Sequence, residues 1–330
     1  MKAIVCFGEA LIDFIAEANA ATHGAHVFHQ HAGGAPANVA AAVARLGGRS
    51  EFVGMFGRDM FGDFLIERLH AAGVNTRYAH RTSAAKTALA FVALDAQGER
   101  SFSFYRPPAA DLLFRDDHFD DACFANASVF HVCSNSLTDE DIARTTLAGM
   151  ARARGAGALV SMDMNLRPSL WPRDADPLPR LWQALRAADI VKLAGEELAY
   201  LAAHGTGERA ALERLLASVR VVIVTNGPGP LRWFTRTATG QLPALRVPVV
   251  DTTAAGDSFV GGLLFELAER GTTVANLDKL LADANAWAQV LRFATACGAL
   301  TVTRHGAFAA MPTLAEVRAL LAQPQQAVAG

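Results

Sequence analysis

The residues with the clearest chemical potential form a short run of small and polar residues, Asp-Thr-Thr-Ala-Ala-Gly-Asp, at positions 251–257. β-Branched residues before the run predict the end of a strand, and apolar residues at helical spacing follow it, so the run should open a helix. There the N–H groups of Ala255, Gly256 and Asp257 lack intrahelical acceptors, and the helix dipole adds positive charge. The turn is therefore a predicted phosphate site. Asp257 as an ordinary first-turn residue is the alternative, but it leaves Asp251 and two threonines unexplained.

This run resembles the C-terminal signature of the PfkB, or ribokinase-like, family of sugar kinases. The resemblance implies that the turn at 254–257, with Ala254, Ala255 and Gly256, is an anion hole for the transferred phosphoryl group. It also implies that Asp257 is the general base that takes the proton of the sugar hydroxyl. Both roles suit phosphoryl transfer, which needs positioning, charge compensation and a proton acceptor close to the nucleophile.

A second motif lies near the N-terminus, where Gly33 and Gly34 precede an alanine-rich helix that contains Asn38. Alone, two glycines before a helix also fit close helix packing. Together with the first motif they resemble the N-terminal signature of the same family, which implies that Gly33, Gly34 and Asn38 contact sugar hydroxyls. Asp13 matches the family's sugar-binding carboxylate, a group that accepts hydrogen bonds from two neighbouring hydroxyls.

Two β-rich runs, 87–94 and 101–105, flank a polar turn and predict a hairpin. The resemblance implies that segments 12–32 and 78–107 form a small β-sheet lid over the sugar. A lid excludes water, which competes with the sugar as phosphoryl acceptor. An exposed edge of this lid could pair with a second copy, so a homodimer through the lid is a further expectation.

The hairpin strands look most like those of bacterial fructokinases, which implies D-fructose as the acceptor and fructose 6-phosphate as the product. Phe104 and Arg106 are the predicted substrate contacts there, with Arg106 reaching sugar oxygens or another anionic group. Ala90 and Phe104 lack the hydroxyl of the tyrosines found in related keto-acid sugar kinases, which favours a neutral ketohexose. Ribose, 2-keto-3-deoxygluconate and aminoimidazole riboside remain alternative acceptors.

From residue 128 onward, strand and helix patterns alternate, which predicts a parallel sheet covered by helices on both faces. The resemblance implies a three-layer ribokinase-like α/β fold with a mostly parallel central sheet and the small lid, in one kinase domain over 1–330. Ligands of such sheets bind at the carboxyl ends of the strands.

Several polar residues follow these strands, and their roles come from the resemblance. Arg167 is implied to contact phosphate or substrate, with a surface ion pair as the alternative. Glu197 is implied to hold the water shell of Mg²⁺, which keeps several waters, and Glu196 is the alternative if the register differs by one residue. Asp251 and Thr253 are implied to hold K⁺. The implied nucleotide-binding residues are Asn165, Lys192, Thr225, Gly227, Gly229, Thr295 and Gly298.

The composition limits the classes of molecule that the protein is expected to bind. The 330 residues are 52% hydrophobic and can bury a large core, while a net charge of −2 gives no field for nucleic acid or an anionic membrane. The expected partner is therefore a small molecule. Four scattered cysteines without CxxC spacing predict reduced thiols and a cytoplasmic location. Glu9 and Asp13 interrupt the apolar N-terminus and argue against a signal peptide, and no segment reads as a membrane span.

Other nucleotide-binding mechanisms lack their motifs. The chain has no G-x-x-x-x-G-K-[ST] loop, no protein-kinase signature pair and no G-x-G-x-x-G after the first strand, which disfavours a nicotinamide dehydrogenase. The 254–257 turn is therefore the only good phosphate cradle predicted from the sequence, and the resemblance implies ATP as the phosphoryl donor. A sugar sensor without catalysis is the alternative of a different class. The histidine-rich run 23–31 is expected to be exposed strand or loop rather than a metal site.

Overall fold

The computed structural model describes residues 2–16, 27–94 and 100–323. The strands, in chain order, are β1 (Ala3–Phe7), β2 (Leu11–Ala16), β3 (Phe28–Gly33), β4 (Ser50–Val53), β5 (Met55–Gly57), β6 (His80–Thr82), β7 (Leu89–Leu94), β8 (Arg100–Tyr105), β9 (Ala127–Cys133), β10 (Leu159–Asp163), β11 (Ile190–Ala194), β12 (Val221–Thr225), β13 (Leu231–Thr235) and β14 (Thr239–Leu242). The helices are α1 (Ala35–Arg45), α2 (Met60–Ala71), α3 (Asp121–Ala125), α4 (Glu140–Gly155), α5 (Leu178–Ala187), α6 (Gly195–Ala203), α7 (Glu208–Leu216), α8 (Ala255–Glu269), α9 (Leu277–Ala282), α10 (Ala284–Thr301) and α11 (Leu314–Ala322).

Within the described residues, eight strands form the central sheet in the order β14-β13-β12-β11-β10-β9-β1-β4. The pairs from β4 to β12 are parallel, and β13 and β14 continue the sheet in antiparallel pairing. This arrangement confirms the predicted strand and helix alternation. It brings the carboxyl ends of the parallel strands to one edge of the sheet.

Helices cover both faces of this sheet, because the side chains of the fully buried strand β1 pack alternately into two different cores. Val5 and Phe7 pack into a core formed with α4, α5, α6 and α7. Ile4 and Cys6 pack into a second core formed with α1, α2, α8, α9 and α10. Because neighbouring side chains of a strand point to opposite faces, two separate cores of this kind require three layers. The predicted three-layer α/β class is therefore confirmed.

A second sheet of four strands, in the order β3-β2-β7-β8, is the predicted lid. The β7 and β8 strands pair antiparallel from Leu89 opposite Tyr105, which is the predicted hairpin, and β2 joins β7 in parallel. The hairpin turn at 95–99 and the part of the first lid segment at 17–26 lie outside the described residues. So do two of the four histidines of the run 23–31. Among the residues that the structure does describe, no group of three or more histidine, cysteine, aspartate or glutamate side chains is placed to hold a metal ion.

The predicted strand before the 251–257 turn is absent from the described segment. Val249 and Val250 lie in an irregular stretch, with 65% and 48% of their surface exposed. The N–H groups of Val250 and Asp251 donate to the carbonyl of Val302, at 2.7 and 3.2 Å. That carbonyl lies just after α10, where helices leave acceptors unsatisfied, so the segment is anchored to a helix end rather than to a sheet.

No helix in the described part of the chain has the length and apolar character needed to cross a bilayer.

Candidate active site

The turn before α8 has the backbone shape expected of an anion site. Ala254 adopts the left-handed conformation (φ 58°, ψ 11°), and the helix begins at Ala255. The Ala255 N–H, which the sequence predicted to face phosphate, donates instead to the Thr252 carbonyl at 3.3 Å. The N–H groups of Gly256 and Asp257 remain as first-turn donors without intrahelical acceptors. The predicted three-donor cradle is therefore corrected to these two.

Asp257 lies in the first turn of α8 and is 7% exposed. Asn38 donates to its Oδ2 at 2.7 Å and Asn165 donates to its Oδ1 at 3.1 Å, so one amide from α1 and one from the loop after β10 hold the carboxylate. Burial and, to a smaller extent, the nearby Asp163 carboxylate raise the pKa of Asp257 from 3.8 to about 6. A carboxylate with a pKa near neutrality suits general-base catalysis at physiological pH.

A cavity of about 330 Å³ lies between this helix start and the lid. The predicted residues that line it are Asp13, Gly34, Asn38, Phe104, Asn165, Arg167, Thr253, Ala254 and Asp257. The structure thus brings residues from both sequence motifs to one polar cavity. The Asn38 Oδ1 atom, on the far side of the amide that binds Asp257, has no hydrogen-bond donor among the described residues.

The two predicted glycines pack closely against Asp13 and Glu9, which line the cavity. A Cβ at Gly33 would collide with Asp13 Oδ2, so the glycine allows the carboxylate to lie against the backbone. Gly34 has φ 99°, and its Cβ would lie 2.6 Å from the Glu9 carbonyl oxygen. Both positions therefore require glycine for geometric reasons.

Arg106 does not occupy the place predicted for it. Its side chain is 1% exposed and does not line the cavity. Nε donates to Asp111 Oδ2 at 2.7 Å, and Nη2 donates to the Asn135 carbonyl at 2.8 Å. Nη1 lies 3.3 Å from Thr138 Oγ1. Because the guanidinium donates to the protein on each of its nitrogens, the predicted direct contact with sugar is wrong for this structure.

Lys192 and Asp163 form a buried ion pair beside the start of α8, with 3.1 Å between Nζ and Oδ2. A Cβ added to Gly256 would lie 3.1 Å from Lys192 Nζ, so the glycine lets the ammonium approach the turn. Asp163 Oδ1 is buried and has no donor among the described residues. Next to the predicted anion hole, the site therefore combines the Lys192 ammonium with a buried carboxylate oxygen that has no hydrogen-bond donor among the described residues.

Glu197, rather than the alternative Glu196, is the residue that belongs to this region. Glu196 is exposed, whereas Glu197 is 6% exposed and accepts from the Leu166 N–H and the Ala194 N–H, each at 2.7 Å. Burial and the Asp163 carboxylate raise the pKa of Glu197. Glu197 thus holds in place the loop that carries Asn165 and the exposed Arg167.

Other predicted nucleotide residues lie outside the cavity. Thr225 ends β12, Gly227 (φ 49°) and Gly229 follow in the turn, and Thr295 and Gly298 lie on α10. A Cβ at Gly298 would lie 3.0 Å from the Ala255 carbonyl, so this glycine allows α10 to pack against the start of α8. Their roles toward the nucleotide stay predictions.

Asp251, predicted to hold a monovalent cation, braces the turn. It is 5% exposed, and its two oxygens accept from the Thr253 N–H at 2.9 Å and the Gly306 N–H at 3.0 Å. The carboxylate therefore links the turn to the segment that follows α10.

The sequence reasoning missed several residues of the site. Glu9, 1% exposed, lines the cavity and accepts from the Ala35 N–H at 3.1 Å and from Asn135 Nδ2 at 2.9 Å. Asn135 itself and Thr252 also line the cavity. Glu9 and Asn135 lie two residues after the ends of β1 and β9, so the rule that ligands gather at the carboxyl ends of parallel strands would have indicated both.

The site as a whole places a buried carboxylate, open helix donors and a cation around one lidded polar cavity. These are the parts that transfer of a phosphoryl group to an alcohol requires, so the fold and the site define the class of small-molecule phosphotransferases. The sequence pattern of the pfkB family of carbohydrate kinases matches residues 1–314, and the chain belongs to this family. The resemblance proposed from the two sequence motifs is thereby confirmed.

Named relatives agree with this assignment. The chain is 38% identical over 321 residues to probable fructokinase-5 of Arabidopsis thaliana, covering 96% of this chain and 97% of the plant protein. A fructokinase of Xylella fastidiosa with bound ATP is 55% identical, with a TM-score of 0.93 and coverage of 97% and 98%. A fructokinase of Vibrio cholerae O395 with fructose, ADP and calcium is 32% identical, with a TM-score of 0.86 and coverage of 97% and 99%. A double mutant of the Vibrio protein carries fructose, ADP and potassium.

Proposed function

We propose that this carbohydrate kinase transfers the γ-phosphoryl group of ATP to O6 of D-fructose. The observation that carries the proposal is Asp257, a buried carboxylate held by two amides at the open start of α8, on a cavity of about 330 Å³. Full-length similarity to proteins named fructokinases, and structural likeness to one that holds fructose and ADP, supports fructose as the acceptor.

In the proposed reaction Asp257 accepts the proton of the primary hydroxyl, and the oxygen attacks the γ-phosphorus in line while ADP leaves. The N–H groups of Gly256 and Asp257 stabilise the charge on the transferring group. Lys192 and the exposed Arg167 add positive charge on the same side. Asp13 and Asn38 orient the sugar so that one hydroxyl faces the base.

The donor set near α8 fits a magnesium–nucleotide complex. Asp163 Oδ1 is a buried carboxylate oxygen without a donor among the described residues, and oxygen donors suit Mg²⁺. We assign Asp163 and Glu197 as the residues that hold the metal's water shell. When bound, Mg²⁺ neutralises phosphate charge, and the protein's own part is to orient the complex toward the turn.

A monovalent cation beside Asp251 and Thr253 is proposed as a support of the turn, because the Asp251 carboxylate already links the turn to Gly306. A potassium-bound relative supports this choice of ion. Turnover should be higher in potassium than in sodium at equal ionic strength. Equal turnover in the two salts would contradict the proposed role.

A coupled assay of ADP release across a sugar panel tests the acceptor. D-Fructose, ribose, 2-keto-3-deoxygluconate and aminoimidazole riboside are compared by kcat/KM, and the product is examined by phosphorus NMR for attachment at O6. We expect fructose to rank first. Fructose in last place would contradict the proposal, and no ADP with any sugar would support a sensor without catalysis.

We also propose a homodimer through the lid. The described lid has β3 and β8 at its edges, and these edges expose Phe28 (38%) and Tyr105 (66%). Unpaired strand edges with exposed aromatic side chains favour pairing with a second copy. Analytical ultracentrifugation should give a dimer, and Tyr105→Lys should shift it toward monomer. A monomeric wild type would contradict the proposal.

The predicted cytoplasmic location stays a prediction.

A further inference from the structure

Asn135 has a buried amide oxygen that the protein itself does not use. The residue follows β9 in the short turn at 134–137, is 6% exposed and lines the same cavity as Asp257. Its Nδ2 donates to Glu9 Oε1 at 2.9 Å. Its Oδ1 has no hydrogen-bond donor among the described residues. A buried carbonyl oxygen without a donor is unfavourable, so this atom is suited to a ligand that brings one.

The direction of this amide is fixed from two sides. Glu9 also accepts from the Ala35 N–H at 3.1 Å, so its carboxylate acts as an acceptor at the start of α1 and selects the NH₂ side of Asn135. The Asn135 backbone carbonyl accepts from Arg106 Nη2 at 2.8 Å and from Thr138 Oγ1 at 3.0 Å. Rotation of the amide would place two acceptors against each other, so Oδ1 stays preorganised as an acceptor.

We propose that Asn135 is a specificity-determining residue whose Oδ1 accepts a hydrogen bond from a hydroxyl of the bound sugar. The inference rests on the proposed sugar kinase function. The hydroxyl is not the one that is phosphorylated, because that group faces Asp257. Glu9 and Arg106 are positioning residues for this contact, which gives Arg106 a role in sugar recognition without touching the sugar. A site built around a ligand hydroxyl discriminates strongly against analogues that lack it.

The first test compares Asn135→Leu, which keeps the branched shape of the side chain and removes the acceptor, with Ser136→Ala as a matched control. Ser136 lies in the same turn but does not line the cavity. Asn135→Leu should raise KM for fructose about 10-fold, the effect of one lost hydrogen bond, while kcat and KM for ATP change by less than about threefold. An unchanged KM for fructose, or an equal rise in Ser136→Ala, would overturn the proposal.

The second test identifies the hydroxyl. Wild type and Asn135→Leu are compared on 1-deoxy-, 3-deoxy- and 4-deoxyfructose and on 2,5-anhydromannitol, which lacks the anomeric hydroxyl. One analogue should lose about 10-fold in kcat/KM with wild type and no more than about twofold with the variant, because the contact is already absent there. Equal losses in both proteins for every analogue would exclude the contact.

A third variant, Asn135→Ala, removes the same acceptor with a smaller side chain and tests whether misfolding explains the result with leucine. It should show the same rise in KM for fructose. The proposed function fails separately, if wild type phosphorylates another sugar in preference to fructose. The same variants are then measured with deoxy analogues of that sugar, where an unchanged KM again overturns the role of Asn135.

Discussion

Two buried ion pairs flank the cavity, and they differ in how the cation is used. Arg106 pairs with Asp111 at 2.7 Å, and Lys192 pairs with Asp163 at 3.1 Å. The Arg106 guanidinium also donates to a backbone carbonyl and a hydroxyl, so its donors serve the protein. The Lys192 ammonium has three donors and a single hydrogen-bonded partner, Asp163, among the described residues.

The difference shows that a buried cation takes part in ligand binding only where donors remain. Lys192 Nζ lies close to the backbone of Gly256, at the start of α8. Arg106 instead joins the lid strand β8 to the turns that contain Asp111 and Asn135. We therefore expect the Lys192 pair to act on the transferring phosphoryl group and the Arg106 pair to act on stability and on the shape of the sugar pocket.

The largest effect is expected at the carboxylate beside the Lys192 pair. Asp257→Asn removes the base but keeps the shape and one of the two oxygens, so sugar and nucleotide should still bind while turnover falls by about two to four orders of magnitude. The matched control is Asp111→Asn, a carboxylate of the structural pair. It should lower stability and retain most turnover per folded molecule. Near-normal turnover in Asp257→Asn, measured by ADP release, would remove it as the base.

The next effect tests the two cations directly. Lys192→Met should lower kcat by about 10²- to 10³-fold, as expected when a preorganised charge is removed from a transition state. Arg106→Met should change kcat little, but it leaves Asp111 buried and unpaired, which costs about 3–5 kcal/mol in the free energy of unfolding. Urea denaturation and steady-state kinetics separate the two outcomes. A large loss of kcat in folded Arg106→Met would show that both cations act on the reaction.

The pH dependence gives a smaller effect with a defined sign. Burial and Asp163 raise the pKa of Asp257 to about 6, and only the carboxylate form accepts a proton. As pH falls below about 6, kcat/KM for the sugar should therefore fall about tenfold per pH unit, and above it the profile should level off. Because Asp163 raises this pKa, Asp163→Asn should move the acid limb to lower pH. A profile that stays flat down to about pH 5 would contradict the assignment of Asp257.

The sequence predicted the fold best where the pattern was local. Buried strands such as β9 and β12 are short apolar runs between helical patterns, and their order along the chain determines a parallel sheet. The strand predicted at Val249 and Val250 was wrong because a distant carbonyl, Val302, satisfies the Val250 N–H. Propensity describes a residue's preference and carries no information about such a long-range partner.

Within the site, the motifs identified residues that meet across the chain. Asn38 and Asp257 are 219 positions apart and are joined by a hydrogen bond, and both were predicted from their motifs. Arg106 was misassigned because its direction depends on Asp111 and on the Asn135 carbonyl, neither of which its own motif encodes. The role of a long polar side chain thus depends on which acceptors the fold places around it.

The smallest effect is expected at Ala254, the turn residue directly before α8, which lines the cavity. Its left-handed conformation (φ 58°) costs a non-glycine residue about 1–2 kcal/mol, while glycine loses about 0.5–1 kcal/mol more conformational entropy on folding. Ala254→Gly should therefore change the free energy of unfolding by no more than about 1 kcal/mol and kcat by less than about threefold.

Ala254→Val is the contrasting variant for this position. A β-branched side chain is strongly disfavoured in the left-handed region, so valine should distort the turn that presents the Gly256 and Asp257 N–H groups. We expect Ala254→Val to lower kcat clearly, as measured by ADP release. Thermal melting should show that the variant is still stable enough to fold. If glycine instead lowered kcat as much as valine, the Ala254 methyl group itself would be needed for turnover. The backbone donors of the turn alone would then not explain why this part of the site acts on the reaction while the Arg106 pair acts on stability.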